Sequence, residues 1–94
     1  MEDEEDTLYD IIFFWDKTAE VDPYRQYCAE TLCNIMGFSP GLSVKLVYEA
    51  EEFKRVLIYS TWNLDKAIDI RNTLIALHMD CRMYPSCVIS NHNG

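Results

Sequence analysis

The segment Tyr9–Trp15, with the sequence YDIIFFW, constrains the fold more than any other part of this chain. After Asp10, β-branched and aromatic side chains occupy both alternating faces of the segment. This pattern is typical of a strand that is buried on two sides in the middle of a sheet. We therefore predict that Tyr9–Trp15 is a central strand and that the other elements are arranged around it.

The first helix is predicted directly after this strand. Asp22 is a favourable N-cap residue, and Pro23 suits the first turn of a helix. Apolar residues then recur at helical spacing up to Gly37, at Tyr24, Cys28, Leu32 and Ile35. We predict a helix over residues 23–36, closed by Gly37 as a C-terminal cap.

The next segment has two possible structures. Ser39-Pro40 repeats the same helix-start signal, and one helical face would carry Leu42, Leu46, Ala50 and Phe53. In the alternative, Val44, Leu46 and Tyr48 alternate in an edge strand that turns at Glu51-Glu52 into the next strand. No Gly, Asn, Asp or Pro is present there to make the hairpin turn, so the helix is favoured.

Three further elements complete the predicted domain. Arg55–Thr61 is a short strand, Asn63 can cap a third helix with a broad apolar arc, and Cys81–Tyr84 is a last strand. The predicted fold class is α+β, in the order β-α-α-β-α-β, with the helices on one face of a three-stranded antiparallel sheet. The alternative, with a strand over residues 42–53, is a ferredoxin-like βαββαβ order.

Length and composition set the domain organisation. The 94 residues, 49% of them hydrophobic, fit a single domain. We place it at residues 8–86, between an acidic mobile arm at 1–7 and a polar mobile tail at 87–94. No apolar run approaches the roughly 20 residues that span a bilayer, and the acidic N-terminus is unlike a secretory signal. We predict a cytoplasmic protein without membrane contact, whose cysteines are thiols. They are Cys28, Cys33, Cys81 and Cys87.

Acidic residues are concentrated at one end of the chain. Residues 1–22 hold nine carboxylates and one base, which accounts for the whole net charge of −8, and residues 23–94 are neutral. An acidic edge on a balanced body attracts cationic surfaces and repels nucleic acid and anionic lipid. The charge pattern therefore favours a protein partner with a basic surface and argues against direct binding to nucleic acid.

The residues needed for catalysis or metal binding are sparse. The histidines are His78, at the end of a predicted helix, and His92, in the tail, so no cysteine or serine has an evident base. The cysteines lack the paired spacing of a zinc site, and three glycines cannot build a phosphate-binding loop. We predict no enzymatic activity, no metal and no cofactor.

The order and lengths of the predicted elements over residues 9–84 resemble a known fold. After the first strand comes a helix that ends Met36-Gly37-Phe38, then at once a cap residue and a second helix, then a strand and a long third helix. The chain thus resembles the fold shared by the bacterial N-degron adaptor ClpS and the C-terminal domain of the ribosomal stalk protein. This resemblance implies a protein-binding module without catalysis.

The resemblance also points to two positions of interest. ClpS adaptors bind the free α-amino group of a degron through an Asn-Asp-Asp stretch after the first strand and a histidine on the second helix. In this chain the first position reads Trp15-Asp16-Lys17. The second falls near Tyr48-Glu49-Ala50, where there is no histidine.

From these observations we predict a small acidic protein-binding module, an adaptor or an inhibitor, that docks on a basic face of a partner protein. Its spaced carboxylates can stand in for the phosphates of a nucleic acid. The predicted contact residues are the acids of the arm, the first loop and the second helix, namely Glu2, Asp3, Glu4, Glu5, Asp6, Asp16, Glu49, Glu51 and Glu52.

Two other functions remain open from the sequence. One is a subunit of a homo- or hetero-oligomer, whose surplus aromatic residues complete a shared hydrophobic interface. Those residues are Tyr24, Tyr27, Tyr48 and Trp62. The other function is that of an N-degron adaptor.

Overall fold

Three strands and three α-helices make up residues 7–86, the part of the chain that the computed structural model describes. The elements are β1 (Tyr9–Phe14), α1 (Val21–Thr31), a π-helical turn (Leu32–Met36), α2 (Pro40–Phe53), β2 (Arg55–Thr61), α3 (Leu64–Ala76) and β3 (Asp80–Pro85). The predicted α+β class and the β-α-α-β-α-β order are confirmed, and the ferredoxin-like alternative is wrong. The predicted tail, and residues 1–6 of the predicted arm, lie outside the described residues.

Strand β1 lies at the centre of a three-stranded antiparallel sheet, in the order β2-β1-β3. It pairs with β2 from Tyr9 opposite Thr61 onward, and with β3 from Tyr9 opposite Pro85 onward. A bulge shifts the β2 pairing by one residue between Ile11 and Ile12. The predicted central strand is therefore confirmed.

The two faces of β1 are buried to different extents. Ile11 and Phe13 are fully buried in the core, whereas Ile12 and Phe14 are half-buried. Complete burial on both sides, as predicted, is therefore wrong, because the helices cover only one face of the sheet. We call the uncovered side the open face; it carries Asp10, Ile12 and Phe14 of β1 with their cross-strand partners.

Helix α1 differs from its prediction at both ends. Glu20, in extended conformation, precedes the helix without a side-chain cap, and Asp22 lies in the first turn instead of acting as N-cap. At the other end the helix widens into the π-helical turn before Gly37 closes it with φ 75°. This left-handed conformation favours glycine, so the predicted C-terminal cap is confirmed.

Helix α2 is formed as predicted, but it buries a different face. The Ser39 side chain caps it by accepting a hydrogen bond from the Leu42 amide at 3.2 Å. The buried residues are Ser43, Val47 and Ala50. Of the predicted face, Ala50 is buried and Leu46 is half-buried against the core, whereas Leu42 and Phe53 are 40% and 65% exposed.

A contact with the preceding turn explains why α2 buries a face different from the predicted one. The Cys33 thiol donates a hydrogen bond to the Ser43 hydroxyl at 3.3 Å. The short side chains of Ser43 and Ala50 let the helix backbone approach its neighbours closely, and the bond satisfies the buried hydroxyl. The periodicity of apolar residues in the sequence cannot predict such a polar contact.

Helix α3 begins at the predicted cap and closes the core. The Asn63 side chain accepts a hydrogen bond from the Lys66 amide at 3.0 Å. The helix buries Ala67 and Leu74, while Leu64 and Ile75 on the predicted apolar arc stay exposed.

Two thiols lie in the core, Cys28 of α1 and Cys81 of β3, and the Tyr24 phenol of α1 packs against it. Cys28, Cys33 and Cys81 are free thiols, which confirms the prediction for these three. Burial raises the pKa of Cys28 to about 11 and that of Cys81 to about 12, with nearby Asp80 adding to the second shift. Burial also raises the pKa of Tyr24, whose hydroxyl lies beside the Cys28 thiol but has no well-placed hydrogen-bond partner among the described residues.

Two adjacent residues of α3, Leu74 and Ile75, should contribute very differently to the stability of the fold. Leu74→Ala should lower the free energy of unfolding by about 2–5 kcal/mol, because Leu74 is fully buried and the variant contains a cavity. Ile75 is 48% exposed, so Ile75→Ala should cost less than about 1 kcal/mol. Urea titrations followed by circular dichroism measure both losses. Equal losses would show that Leu74 is not a core residue.

The buried thiols should make the protein sensitive to alkaline pH. In the unfolded chain these thiols ionise at about pH 8.5, whereas in the folded protein they stay protonated at that pH. Their contribution to stability is therefore complete below that pH and is lost as the pH rises toward about 11 to 12, the folded-state pKa values. Urea titrations across this range should show a shallower loss for a Cys28→Ala/Cys81→Ala variant than for the unaltered chain. If the two proteins lost stability equally steeply with pH, Cys28 and Cys81 would not be the cause of the loss.

A candidate binding groove between two helices

A groove of about 440 Å³ lies between α1 and α2 on the helical side of the sheet. Its apolar lining comes from Ala29 of α1 and from Pro40, Val44 and Val47 of α2. These side chains are short, so they leave space between two helices that are in contact elsewhere. The groove has the size of a site that holds one or two side chains of a ligand.

Arg25 lies in this groove and is held from two sides. Its Nε donates to Glu51 Oε1 at 2.8 Å, and its Nη2 donates to Glu51 Oε2 at 3.1 Å, which makes a bidentate ion pair. The Arg25 guanidinium carbon also lies 4.7 Å from the centre of the Tyr48 ring. The bond to Glu51 raises the pKa of Arg25 above its usual value. The groove is therefore built to stabilise a guanidinium group.

The charge around the groove is negative despite Arg25. Asp22 and Glu30 lie along the α1 side, and Glu51 adds a third carboxylate. Asp22 approaches Arg25 at 3.4 Å and is otherwise exposed to solvent. Asp22 and Glu30 in the lining and Glu51 beside it, against the one guanidinium of Arg25, give this region a formal charge of −2, which favours cationic ligands.

The predicted contact residues do not form one surface. Glu51 pairs with Arg25, which lines the groove, whereas Glu49 pairs with Lys45 at 3.6 Å and Glu52 is exposed. Asp16 lies in the loop after β1, and its carboxylate accepts bonds from the Thr18 hydroxyl at 2.6 Å and the Thr18 amide at 2.9 Å. The five arm residues Glu2, Asp3, Glu4, Glu5 and Asp6 lie outside the described residues.

The two positions singled out by the resemblance have different environments. The bonds from Thr18 hold the pKa of Asp16 below its usual value, so this carboxylate is satisfied within its own loop. Tyr48 lies in the groove against Arg25. The acid after the first strand is thus engaged locally, and an aromatic ring marks the second position.

The surplus aromatic residues also have separate roles. Tyr24 packs edge-on against Trp15, with ring centres 4.8 Å apart, at the border of the core. Tyr27 donates a hydrogen bond to the Leu77 carbonyl at 2.6 Å and so ties α1 to the end of α3. Trp62 is exposed after β2. These rings do not mark a single interface.

Arg25 and Asp22 were not predicted as groove residues. They stand three positions apart on α1, a spacing typical of an ion pair on a helix surface. That signal was available, but it does not reveal the bond between Arg25 and Glu51, which are 26 positions apart.

Metal ligands and membrane spans can be checked directly over residues 7–86. No group of three or more histidine, cysteine, aspartate or glutamate side chains in that range could hold a metal ion. None of the helices there is long and apolar enough to cross a bilayer.

Comparison with known proteins gives a structural match without a sequence match. No protein-family model matches the chain, and no curated protein matches it. The structure is similar to that of ClpS2 from Agrobacterium tumefaciens, solved bound to L-phenylalaninamide, with a TM-score of 0.74 and 15% sequence identity. The match covers 85% of this chain and 98% of that chain. The chain therefore has a ClpS-like fold, as its element order predicted.

The alkylation rates of the three thiols should distinguish the one that lines the groove from the two in the core. Cys33 is half-buried and lines it, whereas Cys28 and Cys81 are buried in the core. We expect iodoacetamide to alkylate Cys33 in the folded protein and to spare Cys28 and Cys81 until urea unfolds the chain. Peptide mapping by mass spectrometry separates the sites. Alkylation of Cys28 as fast as Cys33 would contradict the described packing.

Proposed function

We propose that this chain is a non-enzymatic protein-binding module that docks on a partner protein with a basic surface, and that the groove between α1 and α2 receives a cationic side chain of that partner. The observation that carries this proposal is the environment of Arg25. A carboxylate, an aromatic ring and a second acid already surround a guanidinium there.

In this proposal, Arg25 occupies the position that an arginine of the partner would take. Its side chain is about one-third exposed, so it can rotate out of the groove without disturbing the core. A partner arginine would then take over the bidentate bond to Glu51 and the face of Tyr48, which is a favourable site for a cation. The apolar lining would receive the methylene groups of the incoming side chain.

The ClpS-like fold supports a role in binding. The L-phenylalaninamide bound to ClpS2 carries a free amino group and an aromatic ring. A cationic group beside apolar surface is also the chemistry that the groove of this chain suits. The likeness concerns the fold, and the choice of a cationic side chain comes from the residues of this chain.

The other acids act at longer range in this proposal. Asp16, Glu49 and Glu52 lie outside the groove, and with Glu2, Asp3, Glu4, Glu5 and Asp6 they attract a basic surface before contact is made. Such steering suits an adaptor, and it equally suits an inhibitor that covers the nucleic-acid site of its target.

A peptide panel tests the groove. Acetylated fluorescent peptides with arginine at three positions should bind more tightly than the same peptides with citrulline or glutamate. Glu51→Gln should weaken binding of the arginine peptide by about tenfold, because it removes a charged hydrogen-bond acceptor. Arg25→Ala should tighten binding, because it frees Glu51. Fluorescence anisotropy measures affinity, and protection of Cys33 from alkylation locates the peptide.

Glu52→Gln is the matched control, because it removes the same charge from the adjacent residue outside the groove. Equal effects of Glu51→Gln and Glu52→Gln, or equal binding of arginine and citrulline peptides, would refute the proposal. Preferential binding of a peptide with a free N-terminal phenylalanine, lost on acetylation, would instead identify an N-degron adaptor.

The acidic arm should control the association rate. A chain that starts at Leu8 should bind a basic partner or polyarginine peptide about tenfold more slowly at low salt, and the difference should shrink at about 300 mM salt. A full-length chain with the arm acids changed to amides controls for length. If that chain associates as fast as the unaltered chain, charge steering by the arm is excluded.

A further inference from the structure

We propose that the open face of the sheet is a self-association surface, on which a second copy of this chain packs face to face. The residues of this face stand in rows across β2, β1 and β3. One row is Arg55, Phe14 and Asp80, and the next is Leu57, Ile12 and Arg82.

The first observation is the apolar content of the open face. Leu57 and Tyr84 are 48% and 42% exposed, and Ile12 and Phe14 are only half-buried although they stand on the central strand. A sheet face that is left to water usually carries polar residues at these positions. Apolar side chains that stay exposed on three neighbouring strands are typical of an interaction surface.

The second observation is the charge of the open face. Arg55 and Arg82 are balanced by Asp10 and Asp80, so the face is neutral within a chain of net charge −8. Asp10 is engaged by the Ser60 hydroxyl at 2.7 Å. A strongly charged partner gains little here, whereas a second copy presents the same neutral face.

The third observation is the order of charges in the Phe14 row. Arg55 and Asp80 stand on opposite sides of Phe14. A two-fold axis that runs parallel to β1 between the two sheets would place β2 of one copy over β3 of the other. Arg55 of each copy would then face Asp80 of the second copy, on both sides of the two Phe14 residues. The row is therefore complementary to itself, as a two-fold interface requires.

Both charged residues are available for this exchange. Arg55 makes no ion pair with another described residue, and the Asp80 carboxylate meets Arg82 only at 3.4 to 3.5 Å. Face-to-face sheets lie about 10 Å apart, a separation that an arginine and an aspartate can bridge from opposite sides. The Arg82 guanidinium, 4.6 Å from the Phe14 ring centre, can remain in place.

The size of the face sets the strength of the association. Three strands with about 4.8 Å spacing and about 3.3 Å per residue give a projected area on the order of 300 Å². A standard interface buries about 800 Å² per partner. We therefore expect a weak dimer, with a dissociation constant in the range of about 10 μM to 1 mM.

Sedimentation equilibrium of the full chain tests the proposal by charge exchange. The unaltered chain should show concentration-dependent dimers. Arg55→Asp or Asp80→Arg alone should weaken the dimer at least about fivefold, because each brings like charges together. The double variant Arg55→Asp/Asp80→Arg restores opposite charges and should return the dissociation constant to within about threefold of the original.

Matched controls exclude effects of net charge. Lys45→Asp and Asp65→Arg make the same charge changes on helices and should leave the dimer unchanged. Leu57→Ser should abolish it, with circular dichroism showing that the fold is kept. A monomer at all concentrations up to about 1 mM, or a double variant no better than its single parents, would overturn the proposal. The open face lies opposite the groove, so peptide binding by these variants reports on the proposed function separately.

Discussion

The burial of Ile11 and Phe13 on one face of β1 is the constraint on which the rest of the structure depends. β1 pairs with both other strands, so its alternation determines which side of the sheet the helices cover. Residues 11 and 13 face the helices, and residues 12 and 14 face away. A shift of one residue in the pairing would exchange these two sets and expose the core. The bulge in β2 absorbs an extra residue, so Val56 and Tyr59 both pair with core-facing residues of β1.

Much of this architecture could be predicted because its signals are local. The bounds of β2, the caps Ser39 and Asn63 and the glycine after α1 each depend on a few neighbouring residues. The buried face of α2 could not be predicted in the same way. It is determined by a contact between Ser43 and Cys33, which lies before the helix, and a helical wheel of apolar residues contains no information about that contact.

The candidate site shows the same division between local and distant information. Charge counting predicted Glu51 as a contact residue, but it ranked Glu51 equally with Glu49 and Glu52. The structure separates them, because only Glu51 reaches across to α1 and orders a guanidinium. Composition can thus predict the sign of the charge on a surface. The geometry that turns one carboxylate into a specific acceptor arises from helix packing.

The groove and the open face lie on opposite sides of one thin sheet. If both are binding surfaces, as proposed, occupation of one leaves the other accessible. Two copies joined through their sheets would carry their grooves on the outer surfaces, pointing away from each other. Such a pair would act as a divalent clamp for a target with repeated basic segments, and the second contact would form at a high effective concentration once the first is made. Weak single sites would then suffice for durable attachment.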